Sequence, residues 1–224
     1  MRRSVAALLP LSFALTVFGS AAAAPRTAFA QSPNGATKKG PLRVALLVDT
    51  SDGIGAAIAQ IRSAVVAFAD ALPPEHELLL VTTGRRTQVR VPPTLDRKKV
   101  DDSARGITGD HGTTPLMDAL LEVDQRFLRN PGDRVPAFVV ITGDGSESSA
   151  ANEQAFNKWL TALTTRDVSF DAVVLKFKGS GLPEAIAGAV AQATHGRVET
   201  TTAVNTLADK LRAVAERLGR EYAQ

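Results

Sequence analysis

Apolar positions along this chain alternate between short unbroken runs and stripes at helical spacing. The run Val44-Ala45-Leu46-Leu47-Val48 ends abruptly in Asp49-Thr50-Ser51-Asp52-Gly53. An unbroken apolar run of that length suits a strand buried on both faces, at the centre of a parallel sheet. Ile54, Ile58, Ile61, Val65, Phe68 and Leu72 then recur at spacings of three and four, one face of a helix that Pro73-Pro74 ends. Leu78-Leu79-Leu80-Val81 is a second buried strand, and Gly84-Arg85-Arg86 makes a turn. Thr87 to Val91 alternates polar and apolar residues, which predicts an antiparallel edge strand closed off by Pro92-Pro93. Lys98, Lys99 and Arg105 mark a short exposed helix around residues 95–104.

A loop containing Gly106, Gly109 and Gly112 leads to a third helix, with Pro115 in its first turn and Leu116, Leu120, Val123 and Phe127 on one face. Phe138 to Ile141 is the next buried strand and runs into Thr142-Gly143-Asp144-Gly145. A helix near residues 153–165 buries Phe156, Leu160 and Leu163, with Trp159 bordering the stripe as a packing residue. A strand over 170–177, a helix near 183–194, a short strand at 198–200 and a last helix carrying Leu207, Leu211, Val214 and Leu218 complete the pattern. Strands and helices alternate almost throughout. The expected architecture is a doubly wound, Rossmann-like α/β domain: a mostly parallel six-stranded sheet, one antiparallel edge strand, and helices on both faces.

Composition changes this picture mainly at the amino terminus. Arg2 and Arg3, the apolar run Ala6–Phe18 and Ala28-Phe29-Ala30 have the form of a secretory signal peptide over residues 1–30. The run is short for a membrane span and Pro10 interrupts it, so no span is expected in the mature protein. Residues 31–41 are polar and rich in breakers, a flexible linker; the domain is expected over 42–218, with a tail at 219–224. The signal segment carries Arg2, Arg3 and Arg26 and no acid, so of the 26 Lys and Arg only 23 lie beyond it, against 23 Asp and Glu. A nearly neutral domain with one Trp and one Tyr offers little to nucleic acid. Without cysteine there is no disulfide, and stability rests on the apolar core. Export, to the periplasm or the exterior, is the localisation these features predict.

Candidate chemistry gathers at the predicted strand ends. Asp49 and Ser51 end the first strand, Asp144 follows the fourth, and Thr114 lies in the loop before the third helix. If the first and fourth strands are neighbours at a topological switch point, these residues converge on one crevice. Carboxylates and hydroxyls without cysteine or paired histidines are hard ligands, suited to Mg²⁺, Mn²⁺ or Ca²⁺.

These segments resemble the von Willebrand factor type A domains, whose metal-ion-dependent adhesion site reads Asp-x-Ser-x-Ser, then a Thr in a Gly-rich loop, then an Asp after a later strand. Asp49-Thr50-Ser51-Asp52-Gly53 is similar to the first segment. Gly112-Thr113-Thr114-Pro115-Leu116-Met117-Asp118-Ala119-Leu120 resembles the loop and helix start of bacterial members, and Thr142-Gly143-Asp144-Gly145 their Thr-Asp-Gly with Gly143 inserted. The resemblance implies that Ser51 and Thr114 bind a divalent cation directly. Asp49 and Asp144 would act largely through water, and a protein partner's acidic side chain would complete the site. Gly53 stands where the pattern has its second serine, so one direct oxygen ligand is missing; Asp52, Ser146 or a water is the candidate replacement. The expected function is an exported protein-binding, adhesion or assembly module, not an enzyme, or a metal-free scaffold of the same fold.

A third reading, resembling the haloacid-dehalogenase phosphatases, makes Asp49 a nucleophile with Thr82 or Thr83 and Gly143-Asp144-Gly145 as later motifs. It lacks a general acid, because Ser51 stands two residues after Asp49. Of the histidines, only His111 lies near the predicted crevice; His76 opens a strand and His195 ends a helix. Arg85, Arg86, Arg90, Arg97, Lys98, Lys99 and Arg105 give residues 85–105 a basic cast, which suits a guarded edge strand or an acidic partner surface.

Overall fold

The computed structural model describes residues 40–177 and 181–223. Its centre is β1 (Leu42–Asp49), and the unbroken apolar run has the cause expected of it. Val44, Leu46 and Val48 face one layer of helices, while Ala45 and Leu47 face the other. The remaining strands are β2 (Glu77–Thr83), β3 (Thr87–Thr94), β4 (Val135–Gly143), β5 (Ser169–Leu175) and β6 (Arg197–Thr201). The sheet order is β3-β2-β1-β4-β5-β6, parallel except for the antiparallel β2–β3 pair. The chain leaves β1 toward β2 on one side and returns to β4 on the other, which opens a crevice between the carboxyl ends of β1 and β4.

Helices α1 (Ile58–Ala71), α2 (Arg97–Arg105) and α6 (Leu207–Glu221) cover one face. Helices α3 (Leu116–Val123), α4 (Glu153–Thr164) and α5 (Leu182–Thr194) cover the other. The segment Asp52–Ala71 is long and apolar enough to cross a membrane, but its apolar stripe, Ile61, Val65 and Phe68, is buried in the core shared with α6. The described residues all belong to one compact unit, Gly35–Gln224. The expected signal peptide, and all of the expected linker except Gly40 and Pro41, lie outside the described residues.

Four details depart from the sequence expectation. Pro92 and Pro93 lie inside β3 and do not close it, because the strand is an edge and its register shifts opposite Leu78 and Leu80, where a missing N–H costs little. The third helix widens into a π turn at Asp124–Leu128, which rotates Leu128 into the core and leaves Phe127 half-buried beneath the Arg126 guanidinium. In α6 it is Ala215, not Val214, that joins the fully buried stripe. That helix also continues to Glu221, and Tyr222 is 2% exposed, so the expected tail at 219–224 supplies core. Trp159 packs as expected, edge-on to Phe138, with its indole N–H donating to the buried Asp124.

Candidate metal and partner site

Each strand that ends at the crevice gives up its apolar character at the same level. β1 finishes in Asp49-Thr50-Ser51, β2 in Thr82-Thr83, and β4 in Thr142-Gly143-Asp144. The four residues singled out from the sequence are all buried: Asp49 2%, Ser51 2%, Thr114 0% and Asp144 3% exposed. Burial of that degree needs partners for every polar atom.

Asp49 has them. One carboxylate oxygen accepts the Ser51 backbone N–H at 2.8 Å. The other accepts the Thr142 hydroxyl at 3.0 Å and the Gly143 N–H at 3.2 Å. Burial nevertheless raises its carboxyl above the usual carboxylate range, and these hydrogen bonds only partly oppose that. Thr114 shares a hydrogen bond of 3.0 Å with the Thr83 hydroxyl, and its backbone N–H donates to the Ser146 carbonyl at 3.2 Å. That backbone pairing, continued by Ser148 N–H to the Thr114 carbonyl, ties the segment after β4 to the loop before α3. One Asp144 carboxylate oxygen accepts the Phe177 N–H at 3.1 Å, which draws this side chain toward the end of β5. The same bond ends β5 at Leu175, short of the expected 177.

Gly53 is held by more than the absence of a serine. A Cβ at position 53 would lie 3.1 Å from the Gly145 Cα, and one at 145 would lie 3.3 Å from the Gly53 Cα. The chain after Asp144 therefore crowds the space a side chain at 53 would enter. This contact brings the segments of Ser51 and Asp144 together, as the pairing through Ser146 brings in Thr114. Neither expected stand-in leans inward. Asp52 accepts the Gly112 N–H at 3.1 Å and faces the fully exposed His111 at 3.3 Å, and Ser146 is exposed. His111 sits on the rim and reaches the crevice only through Asp52.

Sequence reasoning missed Asp110, quoted Thr142 only as part of the strand-end motif, and placed Thr83 only in the phosphatase reading. Thr50 donates its hydroxyl to Asp110 at 3.0 Å, and Asp110 N–H returns to the Thr50 carbonyl. A signal was present for Thr83 and Thr142: each is a hydroxyl residue ending a buried apolar strand, as in β1. Glu147 belongs to a separate structural cap, accepting the Met117 and Ser149 N–H groups beside the start of α3.

The family model for the von Willebrand factor type A domain matches residues 44–147. Among solved structures, a von Willebrand factor type A protein from Catenulispora acidiphila is similar at TM-score 0.68 and 13% identity, over 80% of this chain and 43% of that one. The conserved hypothetical protein BatB from Bacteroides thetaiotaomicron is similar at 0.60 and 16% identity, over 80% and 98%. Proximal thread matrix protein 1 from the mussel byssus, with a zinc-occupied metal site, is similar at 0.61 and 15% identity, over 79% and 46%. This chain thus spans less than half of the first and third of these proteins, and at such identities the likeness speaks for the fold. No curated protein matches the chain in sequence. Matching motifs in order, the sheet topology and these likenesses agree: residues 44–147 match the von Willebrand factor type A domain model, and the described residues have the fold of those domains.

Proposed function

We propose that this domain is an exported protein-interaction module that engages an acidic side chain of its partner at the β1/β4 crevice, with a hard divalent cation as bridge. The observation that carries this reading is the Asp49 carboxylate, buried at the sheet edge where the segments of Ser51, Thr114 and Asp144, all buried, meet. An anion so placed is stabilised by a nearby cation.

The donor set is compatible with such an ion. It offers two hydroxyls and two carboxylates, with no sulfur and no imidazole, which favours Mg²⁺, Mn²⁺ or Ca²⁺. Among the described residues no group of three or more His, Cys, Asp or Glu is placed to hold a metal, so any site here depends on the hydroxyls. Ser51 and Thr114 are the direct ligands in this reading, and the Asp49 and Asp144 carboxylates neutralise charge from behind. The Asp49 hydrogen bonds to Ser51, Thr142 and Gly143 hold it in that supporting position. With few direct anionic ligands, the bound cation would remain electrophilic toward an incoming carboxylate. The module acts by binding rather than by turnover in this reading, which the von Willebrand factor type A match over 44–147 supports over the phosphatase resemblance.

A second reading keeps the fold and drops the metal. The Gly53–Gly145 contact favours it, because the slot of one family ligand is crowded by backbone. Calorimetric titration of Mg²⁺, Mn²⁺ and Ca²⁺ into the wild type and Thr114→Ala separates the two. The expected result is saturable heat for at least one ion in the wild type and at least a tenfold weaker affinity in the variant, about 1.4 kcal/mol. Absence of heat in both proteins leaves the scaffold reading alone.

A further inference from the structure

The basic stretch at 85–105 divides sharply once it is folded. Arg97 points inward and donates to the carbonyls of Pro73 and His76. Lys98 and Arg105 pair with Asp102, and Lys99 with Asp96, all within the α2 segment. Arg90 donates to the Gly106 carbonyl. Only Arg85 and Arg86 are left, exposed at the tip of the β2–β3 hairpin, with no ion pair or side-chain hydrogen bond to any described residue.

That tip is fixed against the crevice by two close approaches. A Cβ at Gly84 would lie 2.5 Å from the Asp110 carboxylate and 2.7 Å from the Thr50 hydroxyl, so the hairpin is clamped onto the loop after β1. A Cβ at Gly112, whose φ is +146°, would lie 3.0 Å from the Arg85 Cγ. The aliphatic stem of Arg85 therefore lies across the Gly-rich loop that supplies Thr114 two residues later. The nearby carboxylates are committed elsewhere: Asp52 to Gly112 N–H and His111, Asp110 to the Thr50 hydroxyl. Two exposed guanidiniums without counter-ions among the described residues, carried on a hairpin clamped beside the crevice, suit carboxylates.

We infer that Arg85 and Arg86 form a second subsite of the crevice, and that the partner presents an acidic segment rather than a single acidic residue. One carboxylate would enter at Ser51 and Thr114 while its neighbours pair with the arginines. The inference rests on the crevice being the binding site, and it adds a requirement that crevice binding alone does not make. Charge pairing at a rim chiefly speeds association and selects partners, and it weakens with salt.

A fluorescently labelled octa-glutamate peptide, with a Gly-Ser peptide as blank, tests it by anisotropy in Mg²⁺-containing buffer. The wild type, Arg85→Glu/Arg86→Glu, Arg85→Gln/Arg86→Gln, Thr114→Ala and the charge-matched control Lys98→Glu/Lys99→Glu are compared, with circular dichroism confirming each fold. The expected result is about tenfold or greater loss for the Arg-to-Glu pair, a smaller loss for the Gln pair, and an effect within about twofold for the lysine control. Wild-type affinity in the Arg-to-Glu pair, an equal loss in the lysine control, or no binding of the peptide by the wild type each overturns the subsite. If only Thr114→Ala weakens binding, the crevice stands and the subsite falls; if only the arginine variants do, the arginine surface stands and the crevice reading falls.

Discussion

A Cβ at Gly53 or Gly145 would press against the other's backbone, at 3.1 and 3.3 Å, and this tight contact changes the meaning of the residue at 53. Read along the chain, Gly53 is a lost ligand. In the fold it is the partner of an inserted loop: Gly143 continues β4 and pairs with Leu175, which moves Asp144 one residue onward to meet Phe177 N–H. Restoring the family serine should therefore not restore a ligand. Gly53→Ser is expected to cost about 1 kcal/mol through overpacking against Gly145, lowering the melting temperature by a few degrees. It should also leave the calorimetric cation affinity no tighter than wild type. A tighter affinity with an unchanged melting temperature would contradict this account.

The elements show where tertiary packing overrides a periodic pattern. The stripe Leu116, Leu120, Val123 extends on paper to Phe127, at spacings of three and four. The π turn inserts the equivalent of one extra residue, so Leu128 reaches the core at 0% exposed while Phe127 is half-buried. Asp124, at the start of that turn, is buried and receives two hydrogen bonds from Arg166 and one from Trp159, partners that come from α4 and the loop after it. No local pattern announces such a turn. Leu128→Ala is expected to destabilise the fold by about 2–4 kcal/mol in urea unfolding, and Phe127→Ala by clearly less. The reverse order would mean that the helix keeps a regular α register in solution. β3 tells a similar story: two prolines read as a stop, yet an edge strand with a shifted register carries them.

For the whole molecule, the domain closes through its last helix. α6 packs along α1, and beyond Leu218 the chain still contributes Tyr222 to the core and Glu221 to ion pairs with Arg197 and Arg217. Removing residues 219–224 is expected to lower the stability by about 2–4 kcal/mol, since a buried aromatic side chain and two ion pairs leave together. Chemical denaturation of the truncated and full chains measures it. Unchanged stability would return these residues to the role of a tail.

How much of this was written in the chain depends on the range of the forces involved. Elements and their order were legible, because hydrophobic periodicity is a local consequence of backbone geometry. So was the convergence of Asp49, Thr114 and Asp144 on one edge, since an alternating α/β order leaves few topologies, while the resemblance implied roles for them that the metal titration tests. The tertiary structure alone decided which polar atoms are satisfied and by what: Asp49 by Thr142 and Gly143, Thr114 by Thr83, Asp144 by Phe177. It also decided that of seven basic residues near one edge, Arg85 and Arg86 alone have neither an ion pair nor a side-chain hydrogen bond to any described residue. Hydrogen bonds and ion pairs join residues up to 94 positions apart, as Asp49 and Gly143 show. Such distances are invisible to local pattern, because the same carboxylate or guanidinium serves equally as ligand, cap or partner until the fold places its neighbours.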